Sequence, residues 1–491
     1  MSKQIIEQTM KSFLKFEHDN NLFLLEIDGI KIWGFLRYWF HYVLSCENSG
    51  ISVPMQGNKR NNFLINLIKA VWYSIKSTRI KKSDILYIDH PRRVKQEDGN
   101  YYCLYTDFIK KELEKDFSGL TLEEPFWVEY VGSKTAHYTP IPYKSIFYTD
   151  LFDIKFIIKK FFIKLFKTQK YRKTKTLLTD VFDKFNHHYK LNMKPEETLV
   201  FDWVLYLLTM FPEYTKLFDK IKPKMIIEFR CSSMFRNIMT YIANERNIPV
   251  IDMQHGVYSI ENMFYKFYLI GKYIPLPDYV FTLSKSFFDE HYLPFLVPKQ
   301  HIIPAGYLFL EHKKKQYERY KTKPKIKNIL IVSQGSLNKE IRKFAVSLAN
   351  KIKPSDNMHI VYKKHPYEKD ATYNDLKHKN ITVISDNKKD VYYYFSKAYC
   401  QVGVYSTAIY EGIRFKLPTF ILKNLYCADQ TKKILGVDKG VFYVLNADDV
   451  YSILKHKKLP IPSHKLQNKL WYKADVLKIK KQINKILHKK V

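Results

Sequence analysis

Cysteine is scarce and scattered. The 491-residue chain holds five, at positions 46, 103, 231, 400 and 427, and none stands in a C-x-x-C spacing. That pattern offers neither a zinc site nor a disulfide framework, and it suits a reducing cytosol. Long apolar runs are missing too. None reaches the ~18 residues that suggest a membrane-crossing helix, and the start, M-S-K-Q-I-I-E-Q, has no signal-peptide pattern. The expected location is the cytoplasm, or the face of a membrane that the chain does not cross. No G-x-G-x-x-G opens a helix after a strand, so no dinucleotide cofactor is expected. No D-x-D stands in a plausible loop, so no metal is expected either. Internal repeats are absent. Acidic residues are in deficit, 48 against 82 Lys plus Arg, a net charge of +34. Such an excess implies an anionic partner: nucleic acid, an anionic membrane face or an acidic substrate.

Apolar and aromatic residues are plentiful. Hydrophobic residues make up 46%, with 38 Tyr and 34 Phe. A chain of this length and content folds into two or three domains with ample core.

The most informative stretch runs from Lys397 to Leu422, K-A-Y-C-Q-V-G-V-Y-S-T-A-I-Y-E-G-I-R-F-K-L-P-T-F-I-L. Ala398 to Val404 reads as a short buried strand, and Ser406 and Thr407 are helix-capping types. Ile409 and Ile413 then share a helical face, and Thr419 to Leu422 reads as the next strand. This unit turns at the carboxyl end of a strand, where open α/β sheets bind ligands. A helix start there offers free N–H groups and a positive dipole end to a phosphate. Glu411 falls one turn after Thr407 on the same face, placed to accept hydrogen bonds from a ribose diol. The plain alternative is that Ser406 and Thr407 only cap and Glu411 is solvated.

A second stretch, N-M-H-I-V-Y-K-K-H-P-Y-E from Asn357 to Glu368, is a strand stopped by Pro366. It leaves His365 at the carboxyl end with Lys363 and Lys364 beside it. His-Pro at a strand exit, followed by S-T-x-x-x-E-G-x-x-x-x-x-P at a helix start, resembles the nucleotide-binding half of GT-B glycosyltransferases of bacterial surface polysaccharides. The nearest patterns are those of sialyltransferases, Kdo transferases of capsule assembly and polyol-phosphate transferases of teichoic acids. The resemblance implies that His365, Ser406 and Thr407 hold the phosphate of a cytidine nucleotide.

Earlier in the chain, residues 1–80 read as mostly helical, with Trp33, Arg37 and Trp39 in a packed segment that also recurs in large capsule glycosyltransferases. Asn61 to Ser77 is an amphipathic helix candidate. Asp84 to His90 reads as the first strand of a Rossmann-type domain, and Pro91, Arg92 and Arg93 as its exit loop. Asp89, His90 and Arg92 are candidate acceptor-side residues, or else part of a solvated basic loop. Leu151 to Lys167 carries Lys155, Lys159, Lys160, Lys164 and Lys167 beside an apolar face. That is the pattern of a membrane-surface helix, or of a core helix with a lysine edge. Glu228 exits one strand. Ile248 to Gly256, I-P-V-I-D-M-Q-H-G, gives another strand and loop, and Q-H-G recurs in the same transferases facing the cleft. Glu311 to Lys327 reads as an interdomain linker. Asn328 to Val332 opens the second domain, and its exit loop, Ser333, Gln334, Gly335 and Ser336, can approach a phosphate. Leu470 to Val491 is a basic amphipathic helix that packs back on the first domain or touches lipid.

These readings predict an α/β, GT-B-like protein: two Rossmann-type domains facing across a cleft. The expected divisions are a helical extension over 1–80, an acceptor-side domain over 81–310, a donor domain over 325–465 and a basic C-terminal helix over 466–491. The expected function is inverting, metal-independent transfer of a sugar from a nucleotide donor, cytidine-linked by preference. The acceptor is an oligosaccharide or a lipid-linked chain at the inner face of the cytoplasmic membrane. The nucleotide-sugar is a substrate, and no cofactor is expected. Donor contacts fall to His365, Lys363, Lys364, Ser406, Thr407, Glu411, Ser333 and Gln334. The general base is sought among His255, Glu228 and Asp252. A CDP-polyol phosphotransferase and a nucleic-acid-binding protein are the rival readings; the second gives Glu411 and His365 no role.

Overall fold

The computed structural model describes residues 3–48, 63–89, 93–125, 136–137, 140–229, 233–256, 263, 266–268, 275–284, 286, 297–318, 326–365, 368, 373–386, 389–425 and 428–488. His90 and Arg92 lie outside the described residues, as do Pro91 and Pro366. The chain begins with α1 (Lys3–Asp19), a hairpin of β1 (Glu26–Ile27) and β2 (Ile30–Lys31), α2 (Trp33–Glu47) and α3 (Phe63–Lys76). Next come β3 (Ile85–Ile88), a second hairpin of β4 (Arg93–Lys95) and β5 (Tyr101–Cys103), α4 (Asp107–Leu113), β6 (Gly119–Glu123) and β7 (Ile146–Tyr148). Three helices follow, α5 (Asp150–Leu165), α6 (Gln169–Tyr189) and α7 (Leu199–Ile221), then β8 (Met225–Glu228), α8 (Met234–Glu245), β9 (Val250–Met253), β10 (Tyr279–Thr282), β11 (Ile302–Pro304) and α9 (Leu308–Glu318).

The second half runs β12 (Lys327–Val332), α10 (Asn338–Lys351), β13 (Met358–Lys363), β14 (Ile381–Ile384), α11 (Val391–Lys397), β15 (Cys400–Gly403), α12 (Thr407–Arg414), β16 (Thr419–Leu422), α13 (Ala428–Leu435), β17 (Val441–Val444) and α14 (Ala447–His456). It closes with α15 (His464–Leu470) and α16 (Val476–His488).

Short apolar runs such as I-L-Y-I and N-I-L-I-V become parallel strands buried on both faces, as helix-covered sheets require. The first sheet has seven strands in the order β11-β10-β9-β8-β3-β6-β7, and the second has six in the order β14-β13-β12-β15-β16-β17. All pairings within the two sheets are parallel. In each sheet the first strand in sequence lies inside and the chain winds away from it on both sides. The direction reverses between β3 and β8 in the first sheet and between β12 and β15 in the second. Ligand crevices open at the carboxyl ends of such pairs. The protein is therefore an α/β chain of two Rossmann-type domains in the GT-B manner.

Helices α1 and α2 share one apolar core with α6, α7 and one face of the first sheet, through Phe13, Trp33, Phe40, Phe182, Phe185 and Leu86. The segment read as a linker is α9 in its first part. Phe309, Leu310, Lys313 and Tyr317 turn inward, Lys313 pairs with Asp390 at 3.0 Å and Arg414 pairs with Glu311. Its charges hid an inward stripe. The C-terminal helix α16 packs on α4, burying Ile479, Ile483 and Ile486, with Lys480 2.7 Å from Asp116. Its apolar face is thus spent within the protein.

Candidate active site

The exit of β15 and the start of α12 pack unusually close. A β-carbon on Gly403 would lie 2.4 Å from Ile409 Cδ1, and one on Gly412 would lie 2.1 Å from Gln401 Oε1. Both glycines let the helix settle on the strand. Gln401 locks it there, donating to the Ile409 carbonyl at 2.8 Å and to Thr419 Oγ1 at 2.9 Å. Ser406 is the N-cap, its hydroxyl accepting from the Ala408 amide at 3.4 Å. Thr407 opens the helix, half-buried, and Glu411 one turn on is buried. Burial removes the solvated reading of Glu411.

The neighbouring loops complete this crevice. After β12, the Ser333 hydroxyl shares a 2.8 Å hydrogen bond with Tyr362, so it is held inside the domain. Gln334 follows at the mouth, half-buried. After β13, the His365 amide donates to Glu368 Oε1 and the Glu368 amide donates to the His365 carbonyl, at 2.8 and 2.9 Å. Glu368, overlooked in the sequence, thereby holds the backbone of His365; a carboxylate three residues past His365 was its only signal. Lys363 donates to the Asp386 carbonyl at 2.8 Å, and burial lowers its pKa. Lys364 lies over the Tyr373 ring at 5.3 Å.

Across from α12 stands the exit of β9. Gln254 accepts from the Leu283 amide and donates to the Gly256 carbonyl, both at 2.8 Å, fixing the loop to the β10 exit. The Tyr105 hydroxyl donates to the His255 carbonyl at 2.9 Å, and Phe229 meets the His255 ring edge-on at 5.5 Å. Burial, with Arg236 nearby, holds the His255 imidazole below its usual pKa, partly offset by Asp252. The ring is neutral at neutral pH, the state a proton acceptor needs. A β-carbon on Gly256 would lie 3.9 Å from Thr407 Oγ1. The Q-H-G loop of one domain and the Ser-Thr helix start of the other thus meet across the cleft.

The other base candidates sit elsewhere. Register places Glu228 beside Asp252 on adjacent strands. Both are buried on the face covered by α7 and α8, and Thr240 donates to Glu228 Oε1 at 2.8 Å. Asp89 is enclosed in a buried polar cluster. It accepts from Thr106 and Tyr143, at 2.6 and 2.8 Å, and from Lys110 and Arg93. Arg93 also pairs with Glu123 at 2.8 Å and lies 3.4 Å from Asp107. Arg93, expected in an exit loop, is therefore buried at the start of β4. Arg236, missed in the sequence, fills the crevice between β3 and β8. It donates to the carbonyls of Ile88 and Asp89, and pairs with Glu124 at 3.0 Å. Among the described residues, no group of three or more His, Cys, Asp or Glu is placed to hold a metal ion.

Fold and geometry together define a two-domain α/β protein in which the start of α12 faces a histidine loop. No protein-family model matches the chain, and no curated protein matches it. Among solved structures, UDP-GlcNAc 2-epimerase from Methanocaldococcus jannaschii is 13% identical, with 82% of this chain and 98% of that chain covered and a TM-score of 0.45. The Neisseria meningitidis UDP-GlcNAc 2-epimerase bound to UDP-GlcNAc is 12% identical, covering 83% and 99%, with a TM-score of 0.44. The wall teichoic acid polymerase TagF is 12% identical, covering 93% and 96%, with a TM-score of 0.42. The two-domain assignment rests on the strand orders, not on these overlaps.

Proposed function

We propose that the protein is an inverting, metal-independent glycosyltransferase of surface-polysaccharide synthesis, working at the inner face of the cytoplasmic membrane. Its donor is a cytidine-linked sugar and its acceptor an oligosaccharide or lipid-linked chain. The observation that carries this reading is the meeting of Thr407 with the Gly256 loop. It supports the reading by bringing the start of α12 and the His255 loop to one cleft.

In the proposed reaction, the acceptor hydroxyl oxygen attacks the anomeric carbon and its proton passes to His255. The bond from that carbon to the phosphate oxygen breaks, and the nucleotide phosphate leaves with the electron pair. His365, Thr407 and the α12 amides meet the charge that develops there. Glu411 accepts from the ribose hydroxyls. Lys363 and Lys364 lend positive potential from the next strand exit.

A thermal-shift screen with CMP, CDP, UDP and GDP tests the nucleotide, since a ligand bound to the folded state raises apparent stability. CMP is expected to give the largest shift. Incubation with a CMP-sugar and with a CDP-polyol then tests the group moved. Sugar transfer is expected, and turnover of only the CDP-polyol would replace this reading with phosphotransfer. His365→Ala should lower transfer by roughly 10²-fold or more if the ring meets leaving-group charge. Undiminished turnover in that variant removes His365 from the site.

A further inference from the structure

Two helices of the first domain turn apolar faces outward. On α5, Ile154, Phe156 and Ile163 are buried, while Phe162, Leu165 and the following Phe166 are 50%, 58% and 68% exposed. On α3, which packs beside it, Ile68, Trp72 and Ile75 are 62%, 55% and 73% exposed. Their spacing, i, i+4 and i+7, marks a single helical face. Of the 19 large hydrophobic side chains exposed among the described residues, 11 fall on α3, on α5 or directly after it. Scattered exposure needs no explanation, but a patch this concentrated marks an interaction surface.

Charge selects the occupant. From Phe63 to Lys82 the chain carries Lys69, Lys76, Arg79, Lys81 and Lys82 and no carboxylate. A second copy would set these cations against their own kind. Anionic lipid headgroups complement them. Lys76 lies 4.7 Å from the centre of the Trp72 ring, an aromatic and cation pairing suited to a headgroup layer. The α5 lysines that the sequence offered for this task are directed elsewhere. Lys155 and Lys159 pair with Glu213, and Lys160 and Lys164 with Asp202, tying α5 to α7. Neither α3 nor α5 is long and apolar enough to cross a bilayer.

We propose that α3 and α5 form a docking surface that lies in the plane of an anionic membrane. Its apolar side chains enter the boundary between headgroups and acyl chains, a layer of about 5–10 Å. This deepens the membrane-face reading above and is independent of the group transferred. Attachment is chiefly apolar, with the α3 cations as the rim.

Flotation of the full-length protein with vesicles of phosphatidylglycerol and phosphatidylcholine tests it. The wild type should float with the vesicles. A triple variant, Ile68→Ser, Trp72→Ser and Phe162→Ser, should lose binding about tenfold or more with an unchanged thermal midpoint, because all three residues are exposed. Lys155→Gln with Lys159→Gln should stay within about twofold of the wild type. If the wild type stays soluble at low salt, the membrane-face reading itself falls. If the serine variant floats like the wild type, or the glutamine variant detaches, that reading stands and this surface is wrong. A wild-type dimer that the serine substitutions dissociate, with no flotation, assigns the face to a second copy and overturns the proposal.

Discussion

At the scale of single residues, protonation separates the buried groups. Burial depresses the His255 pKa below the ordinary 6.5. If His255 is the base, transfer must persist as pH falls through 6.5, and the acid limb of kcat/KM must lie below that value. A limb at or above it would disqualify the residue. Asp107 behaves in the opposite sense. Burial and the neighbouring Asp89 raise it to about 6 from 3.8, against the pull of Lys110 and Arg93. Between those values the folded protein holds a proton that the unfolded chain has lost, so this group's stabilisation fades as pH rises from about 4 to about 6. In denaturant titrations the stability of Asp107→Asn relative to the wild type should therefore rise between about pH 4 and pH 6; a constant difference would refute it. Glu411→Gln should weaken nucleotide binding by about 1–3 kcal/mol, since hydrogen bonds to a charged acceptor are the strong kind. Calorimetry showing equal affinity would end its ribose role. Little of the buried cluster was legible. Arg93 meets Glu123 only because β6 lies beside β3, and no local pattern encodes that neighbour.

At the scale of elements, the strand–helix–strand unit around α12 was readable because its signals are local: a short apolar run, a hydroxylated cap, a proline stop. The purpose of Gly412 was not, since Gln401 reaches it from another element. Gly412→Ala should destabilise the second domain by about 1–3 kcal/mol, the usual penalty for crowding a packed site. It should also weaken nucleotide binding by shifting the α12 start. A variant equal to the wild type in both would mean that Gln401 swings aside without consequence. Helices with many charges were misjudged for one reason. Composition alone does not say which side of a lysine-rich helix faces inward. In α9 the buried Lys313 reaches Asp390, the cap of α11; in α5 four lysines pair with α7, and Phe161 and Phe162 face out.

At the scale of the whole molecule, contacts at the C-terminal crossing help to tie the domains. Trp471, stacked on Tyr307 at 6.0 Å, donates to the Tyr410 carbonyl at 2.9 Å, and the Tyr472 amide donates to the Leu283 carbonyl at 3.1 Å. The crossing segment passes so near Gly306 that a β-carbon there would lie 2.5 Å from the Tyr472 carbonyl oxygen, and Gly306 itself has φ of +72°. Gly306→Ala meets both strain and collision, and should cost about 1–3 kcal/mol. Because it loosens the crossing, scattering should report a wider molecule. Unchanged stability and size would show that the crossing gives way freely. The two-domain plan was legible from alternating strands and helices, but the chain's return to its first domain was not, since α16 reads equally well as a free amphipathic helix.

That return sets an order of events during synthesis. The layer that α16 lays over α4 belongs to the first domain, yet the ribosome makes it only after the whole second domain has emerged. Until then Ile109 and Leu113 have one neighbour too few, and the half-built protein carries a bare apolar strip for the time needed to translate some 170 further residues, at roughly 5–20 residues per second. The last helix works as a clasp, closing the first part of the molecule after the second is in place.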